Sequence, residues 1–156
     1  MKNPIINSGN IDISSNMYNT NSYNILNVGD FYNSQTKPWG WHLILDASGC
    51  SQELISEPDN IKEFIETLVP AIDMIAYGEP LIERFGVGHL QGYSLVQLIH
   101  TSNICAHFAE DSRSIFLDVF SCKEFDVRIV EDVVRHFFNH TVSKKYFIER
   151  RPPTSN

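Results

Sequence analysis

Four side chains between positions 94 and 122 are of the types that nucleophilic and acid–base chemistry uses: Ser94 and Ser102 carry hydroxyls, His107 an imidazole and Cys122 a thiol. A serine attacks a carbonyl when a neighbouring base takes its proton, and a cysteine either attacks as the thiolate or hands a proton on. They occur in "GYSLVQLIHTSNICAHF" and "SRSIFLDVFSC", polar chemistry set inside apolar runs that read as strands. Taken singly, each has an ordinary use. Ser102 and Asn103 suit a turn or bulge, His107 a half-buried histidine, and Cys122 a small buried thiol. Two further arrangements use the same residues. His107 could activate Cys122 as a nucleophile, although nothing around Cys122 matches a thiol-enzyme signature. His89, His100, His107 and Cys122 could gather round a metal, but their intervals match no usual ligand spacing.

These residues need a scaffold. "WGWHLILDASGC" predicts a first strand at about 41–47, closed by a Ser-Gly turn signal. In "EPDNIKEFIETLVPAIDMI", Ile61, Phe64, Ile65, Leu68, Ile72 and Ile75 fall at three- and four-residue intervals, which predicts a helix with one apolar face. Pro58 suits its first turn, whereas Pro70 is expected to kink or divide it. "LIERFGVG" predicts a short strand, and "YSLVQLI" and "ICAHF" two more. "SRSIFLDVFSC" alternates Ile115, Leu117 and Val119 against Phe116, Asp118 and Phe120. A second helix, "DVRIVEDVVRHFFNH", carries Val130, Val133, Val134, Phe137 and Phe138 on one face behind an Asp126 cap, and "KKYFIER" is a last strand. The expected fold class is α+β, a two-layer α/β sandwich whose antiparallel sheet carries two main helices on one face.

Residues 1–36, crowded with Asn and Ser, predict a flexible N-terminal tail. The domain then spans 37–151, with a short C-terminal tail at 152–156. A chain of 156 residues, 42% of them hydrophobic, supports one buried core. The net charge of -7 argues against nucleic-acid partners, because Lys144, Lys145, Arg150 and Arg151 are too few for a phosphate-tracking surface. Cys50, Cys105 and Cys122 have no CxxC spacing, so a reducing compartment is expected. No apolar run reaches the ~18 residues of a membrane span. A soluble, cytoplasmic protein without membrane or nucleic-acid partners is the expectation.

From Tyr93 to Cys122 the sequence resembles the bacterial class of S-adenosylmethionine decarboxylases. In that family a serine follows an apolar strand, a histidine lies five residues on, and a "DVFTC"-like strand end supplies a cysteine. Ser102, His107 in "NICAHF" and Cys122 in "LDVFSC" match, Ser94 in "GYSLVQ" matches an upstream serine, and the likeness extends over about 41–148. The resemblance implies a self-processing enzyme of polyamine (spermidine) synthesis. Ser102 attacks the carbonyl of Thr101, the chain parts between Thr101 and Ser102, and a pyruvoyl group remains at position 102. His107 and Ser94 take the roles of base and oxyanion donor, and Cys122 that of proton donor. The pyruvoyl carbonyl condenses with the substrate amine, with neither metal nor pyridoxal phosphate. A homodimer with pockets near the subunit boundary is also implied.

The chain departs from the family pattern twice. Glutamate is expected before the cleaved serine, where this chain has Thr101; "TWPE" is expected after the histidine, where this chain has "FAED". Ala109 thus replaces a tryptophan that offers a face to adenine, a loss of about 1–3 kcal/mol of stacking. Phe108 is the nearest ring that could substitute, though regular alternation turns it to the opposite face. Some divergent relatives decarboxylate arginine or ornithine, and Glu110 and Asp111 suit a cationic side chain. Substrate-binding roles are therefore expected of Phe108, Glu110 and Asp111. Outside enzymes, the alternative is an uncleaved binding or regulatory homologue.

Overall fold

A computed structural model describes residues 24–25 and 37–153 of the chain. The elements run β1 (Asn24–Ile25), β2 (Gly40–Ser48), α1 (Gln52–Ile55), α2 (Pro58–Ala71), β3 (Ala76–Phe85), β4 (Gly92–Ile99), β5 (Ser102–Ala109), β6 (Ser114–Ser121), α3 (Val127–Phe138) and β7 (Val142–Arg150). The strands form one sheet in the order β1-β7-β2-β6-β5-β4-β3. Every pairing is antiparallel except that of β1, whose two residues run parallel to Tyr146 and Phe147 of β7. The expected tail, 1–36, lies outside the described residues apart from that pair, and the expected domain is described from its first residue, 37. Positions 154–156 also lie outside them.

Strand alternation divides the sheet's two faces. Leu43 and Leu45 of β2, Leu95 of β4, Ile104, Ala106 and Phe108 of β5, and Ile115, Leu117 and Val119 of β6 are buried in one core with the helices. The core has an aromatic centre: the Phe64, Phe108 and Phe138 rings are fully buried, with centroids 5.0 to 6.4 Å apart. Rings of that size each stabilise the fold by about 1.5–3 kcal/mol through removal from water, before any gain from edge-to-face contact. The α+β sandwich with its helices on one face is therefore present as the periodicities predicted.

Helix ends explain two differences from the expected elements, and a strand end a third. Pro58 opens α2, where its missing N–H costs nothing. Pro70 does not divide that helix; it stands next to the last helical residue, and the end is closed by the Ile72 N–H donating to the Leu68 carbonyl and the Asp73 N–H to that of Pro70. Ile75 consequently lies beyond the helix and is 65% exposed rather than part of its apolar face. Asp126 caps α3 as expected, its side chain accepting from the Arg128 N–H at 2.9 Å. β3 begins at Ala76 and ends at Phe85, so the "GVG" expected in a strand forms the connection that follows.

The two strands expected at "YSLVQLI" and "ICAHF" are present as the arms of one hairpin. The turn falls at His100 and Thr101, with a cis peptide between them, while Ser102 and Asn103, which suited a turn or bulge, already belong to β5. Gly92 at the far end is required by close approach, because a Cβ there would stand 1.9 Å from the Phe108 carbonyl oxygen. On the sheet's other face, Val96, Leu98 and Phe116 are 41 to 52% exposed, and no helix among the described residues covers them.

Candidate active site

The hairpin register fixes where the reactive side chains stand. Ser94 pairs with His107 and Ile99 with Ser102, so the first pair lies five positions along the strands from the turn. At about 3.4 Å per residue this is roughly 17 Å. The four residues singled out by sequence therefore form two groups within one chain, not one cluster.

At the turn, three residues converge. The Cys122 N–H donates to Ser102 Oγ at 3.1 Å, and Thr101 Oγ1 lies 2.6 Å from Cys122 Sγ. β6 makes this possible by pairing Asn103 with Phe120, which brings Cys122, just past the strand's end, opposite the start of β5. Hydrogen bonding from the Thr101 hydroxyl, then from the Thr101 backbone, holds the Cys122 thiol below the usual thiol range. The other two cysteines move the opposite way. Burial pushes Cys50 up to about 11, and burial followed by the Asp118 charge raises Cys105. An open pocket of about 480 Å³ adjoins the turn, lined in part by Tyr77, Leu98, Thr101, Ser102, Asn103 and Phe120. That volume lies within the range of small-molecule sites.

Along the hairpin, Ser94 Oγ is 2.9 Å from His107 Nδ1 on the open face. The bond orients the ring and leaves the other ring nitrogen, Nε2, facing away from the serine. This is a hydroxyl–imidazole couple able to pass a proton. In one chain it has no access to the Thr101 carbonyl, because the hairpin's length separates them.

The three expected substrate contacts stand elsewhere. Phe108 belongs to the core, fully buried against Phe64 and Phe138, because alternation turns it towards the helices while His107 faces outward. Glu110 is 8% exposed and already paired: Arg84 donates to it from Nε at 3.0 Å and Nη2 at 2.7 Å, and Gln91 Nε2 at 3.1 Å. The Arg84 guanidinium holds its carboxyl below the usual carboxylate range. Asp111 is exposed in the turn before β6. Arg84 and Gln91 had not been singled out; a charge inside the apolar "LIERF" was the available sign. Among the described residues no group of three or more His, Cys, Asp or Glu is arranged to hold a metal ion. No helix among them is long and apolar enough to cross a membrane.

Comparison with known proteins gives one consistent answer. Residues 41–151 match the family model described as S-adenosylmethionine decarboxylase. An S-adenosylmethionine decarboxylase proenzyme of Clostridium botulinum, strain Hall, is 28% identical over 111 residues, covering 70% of this chain and 90% of that protein. The proenzyme of the Loch Maree strain is 27% identical over 107 residues, covering 68% and 86%. The crystal structure of the adenosylmethionine decarboxylase from Aquifex aeolicus VF5 shares the fold, with a TM-score of 0.64 at 21% identity over 78% of this chain and 98% of that one.

Proposed function

The chain belongs to the S-adenosylmethionine decarboxylase family, and from that premise we propose that it is a cytoplasmic, self-processing, pyruvoyl-dependent decarboxylase of S-adenosylmethionine serving spermidine synthesis. The observation that carries this reading is the turn: a serine hydroxyl follows the Thr101 carbonyl directly and is held by the N–H of a cysteine with a lowered pKa. These residues fit formation of the group at position 102. Ser102 Oγ adds to the Thr101 carbonyl carbon, the peptide C–N bond breaks, and the freed nitrogen takes the proton. Elimination across Cα–Cβ of residue 102 then releases Thr101 as a carboxylate. Water replaces the nitrogen, which leaves as ammonia, and a ketone remains.

When present, the pyruvoyl group supplies a carbonyl that takes up the substrate amine and accepts the electron pair left by departing carbon dioxide. The chain's own residues do the rest. Cys122, beside position 102, returns a proton to the substrate carbon. Ser94 and His107 assist the acyl shift by stabilising the oxyanion and moving the hydroxyl proton.

The roughly 17 Å between the two groups argues that they meet across a homodimer. A second copy laid on the open face would bring its Ser94 and His107 towards the first copy's turn and cover Val96, Leu98 and Phe116. In this arrangement each pocket takes Ser102 and Cys122 from one protomer and the hydroxyl–imidazole couple from the other.

Ala109 in place of the expected tryptophan favours a second substrate class, arginine or ornithine. With Glu110 committed to Arg84, Asp111 is the acid left exposed in that turn for a cationic group. Intact-mass measurement tests the whole reading. Wild type is expected as two pieces parted at 101/102, the second borohydride-reducible, and Ser102→Ala as one species of 17.8 kDa. A wild-type chain that stays whole and inert to borohydride overturns it in favour of a non-catalytic homologue. Carbon dioxide release from arginine or ornithine alone replaces the substrate.

A further inference from the structure

One contact at the turn has no part in the roles above. Thr101 reaches Cys122 through its side chain while Ser102 reaches it through the Cys122 N–H, so both residues of one peptide bond are tied to one cysteine. Resting on the reading of Ser102 as the cleaved residue, we propose that Thr101 is a positioning residue, its hydroxyl holding the Cys122 sulfur beside the 101–102 bond in the uncut chain.

The residue type is what makes the contact useful. A hydroxyl donates to sulfur as readily as it accepts, whereas an ionised glutamate only accepts and would repel a thiolate. Threonine at this position thus replaces an anion with a donor. Its β-branched side chain also has few rotamers, so the hydroxyl is held where the contact forms. The surroundings of the sulfur agree: hydrogen bonds from the Thr101 hydroxyl, then from the Thr101 backbone, lower its pKa against the opposing effect of burial, with smaller help from its own backbone and Ser102. The adjacent Lys123 directs its ammonium away, to Asp73. Of the chain's three cysteines, Cys122 alone shifts towards the thiolate.

The contact is best measured in a chain that cannot be cut. In a Ser102→Ala background, Cys122 alkylation by iodoacetamide is followed from acid to alkaline pH and assigned by peptide mass. Thr101→Val, Thr101→Ala and Thr101→Ser are compared with the parent. Valine and alanine are expected to move the midpoint of the rate profile to higher pH and to slow alkylation at neutral pH by about threefold, the effect of one exposed charge-assisted hydrogen bond. Serine is expected to restore the parent profile, and Cys50 and Cys105 to remain unchanged. Valine and alanine profiles that superimpose on the parent, or a serine profile that follows theirs, overturn the proposal. Because the readout needs no cleavage, its failure is distinct from an uncut wild type, which overturns the functional reading instead.

Discussion

The two faces of the sheet use the same strands for opposite ends. Towards the helices, β5 contributes Ile104, Ala106 and Phe108, all buried and apolar. Towards the open side the same eight residues contribute Asn103, Cys105 and His107, and the neighbouring strands add exposed Leu98 and Phe116. One face has its apolar demand satisfied within the chain. The other combines reactive groups with uncovered apolar area, a combination that makes sense when something else completes it. Along β5 the buried residues and His107 thus alternate with a period of two, while Ser102, paired with buried Ile99, keeps the parity of the core and is reactive only because it starts the strand at the open turn.

Substitutions can break that contrast. The largest effect is expected on the helix side. Phe64→Ala should cost about 3–5 kcal/mol in denaturant unfolding, because three aromatic neighbours cannot collapse into the space it leaves. A loss below 1 kcal/mol would mean that this face is not the tight core described. On the open face, Leu98→Asp should leave the protomer's secondary structure intact but weaken the proposed self-association by about 1.5–3 kcal/mol per copy, read by sedimentation equilibrium. A variant that dimerises as wild type would separate the apolar face from assembly.

The smallest effect is expected at the sheet's far end. Arg84→Met should lower stability less than either change above, because Arg84 is half exposed and solvent screens its side of the pair, although Glu110 is buried. The pH dependence carries a sign. Glu110 has a lowered folded pKa, so its contribution is present above the ordinary glutamate value near ~4.3 and disappears as pH falls through the lower folded value. Melting curves of Arg84→Met should lose that part of the acid sensitivity; a profile parallel to wild type down to low pH would show that the pair contributes no linkage.

Long periodic segments were legible before any coordinates. α3 and β6 follow their apolar spacing residue by residue, because one buried face admits only one period. Both arms of the hairpin were legible as strands, but the turn was harder to place, since His100, Thr101, Ser102 and Asn103 are all polar and any of them suits it. Once His100 and Thr101 are placed at the turn, the partners follow by counting outward, and Ser94 opposite His107 could have been obtained that way. The Arg84–Glu110 pair could not, because it is a side-chain contact that reaches across β4 from β3 to the turn after β5, and no strand register pairs the two. Thr101's contact with Cys122 also needed coordinates, because it depends on how far β6 runs beside β5 before it ends.

The order of strands gives a cut at position 101 an unusual outcome. Residues up to 101 supply β2, β3 and β4, and those after it supply β5, β6 and β7, yet β2 lies between β7 and β6. The two polypeptides would therefore be interleaved like the teeth of a zip, each closing a gap in the other and neither owning a complete interior. They should migrate as one body in native solution and come apart only when the sheet itself is dissolved.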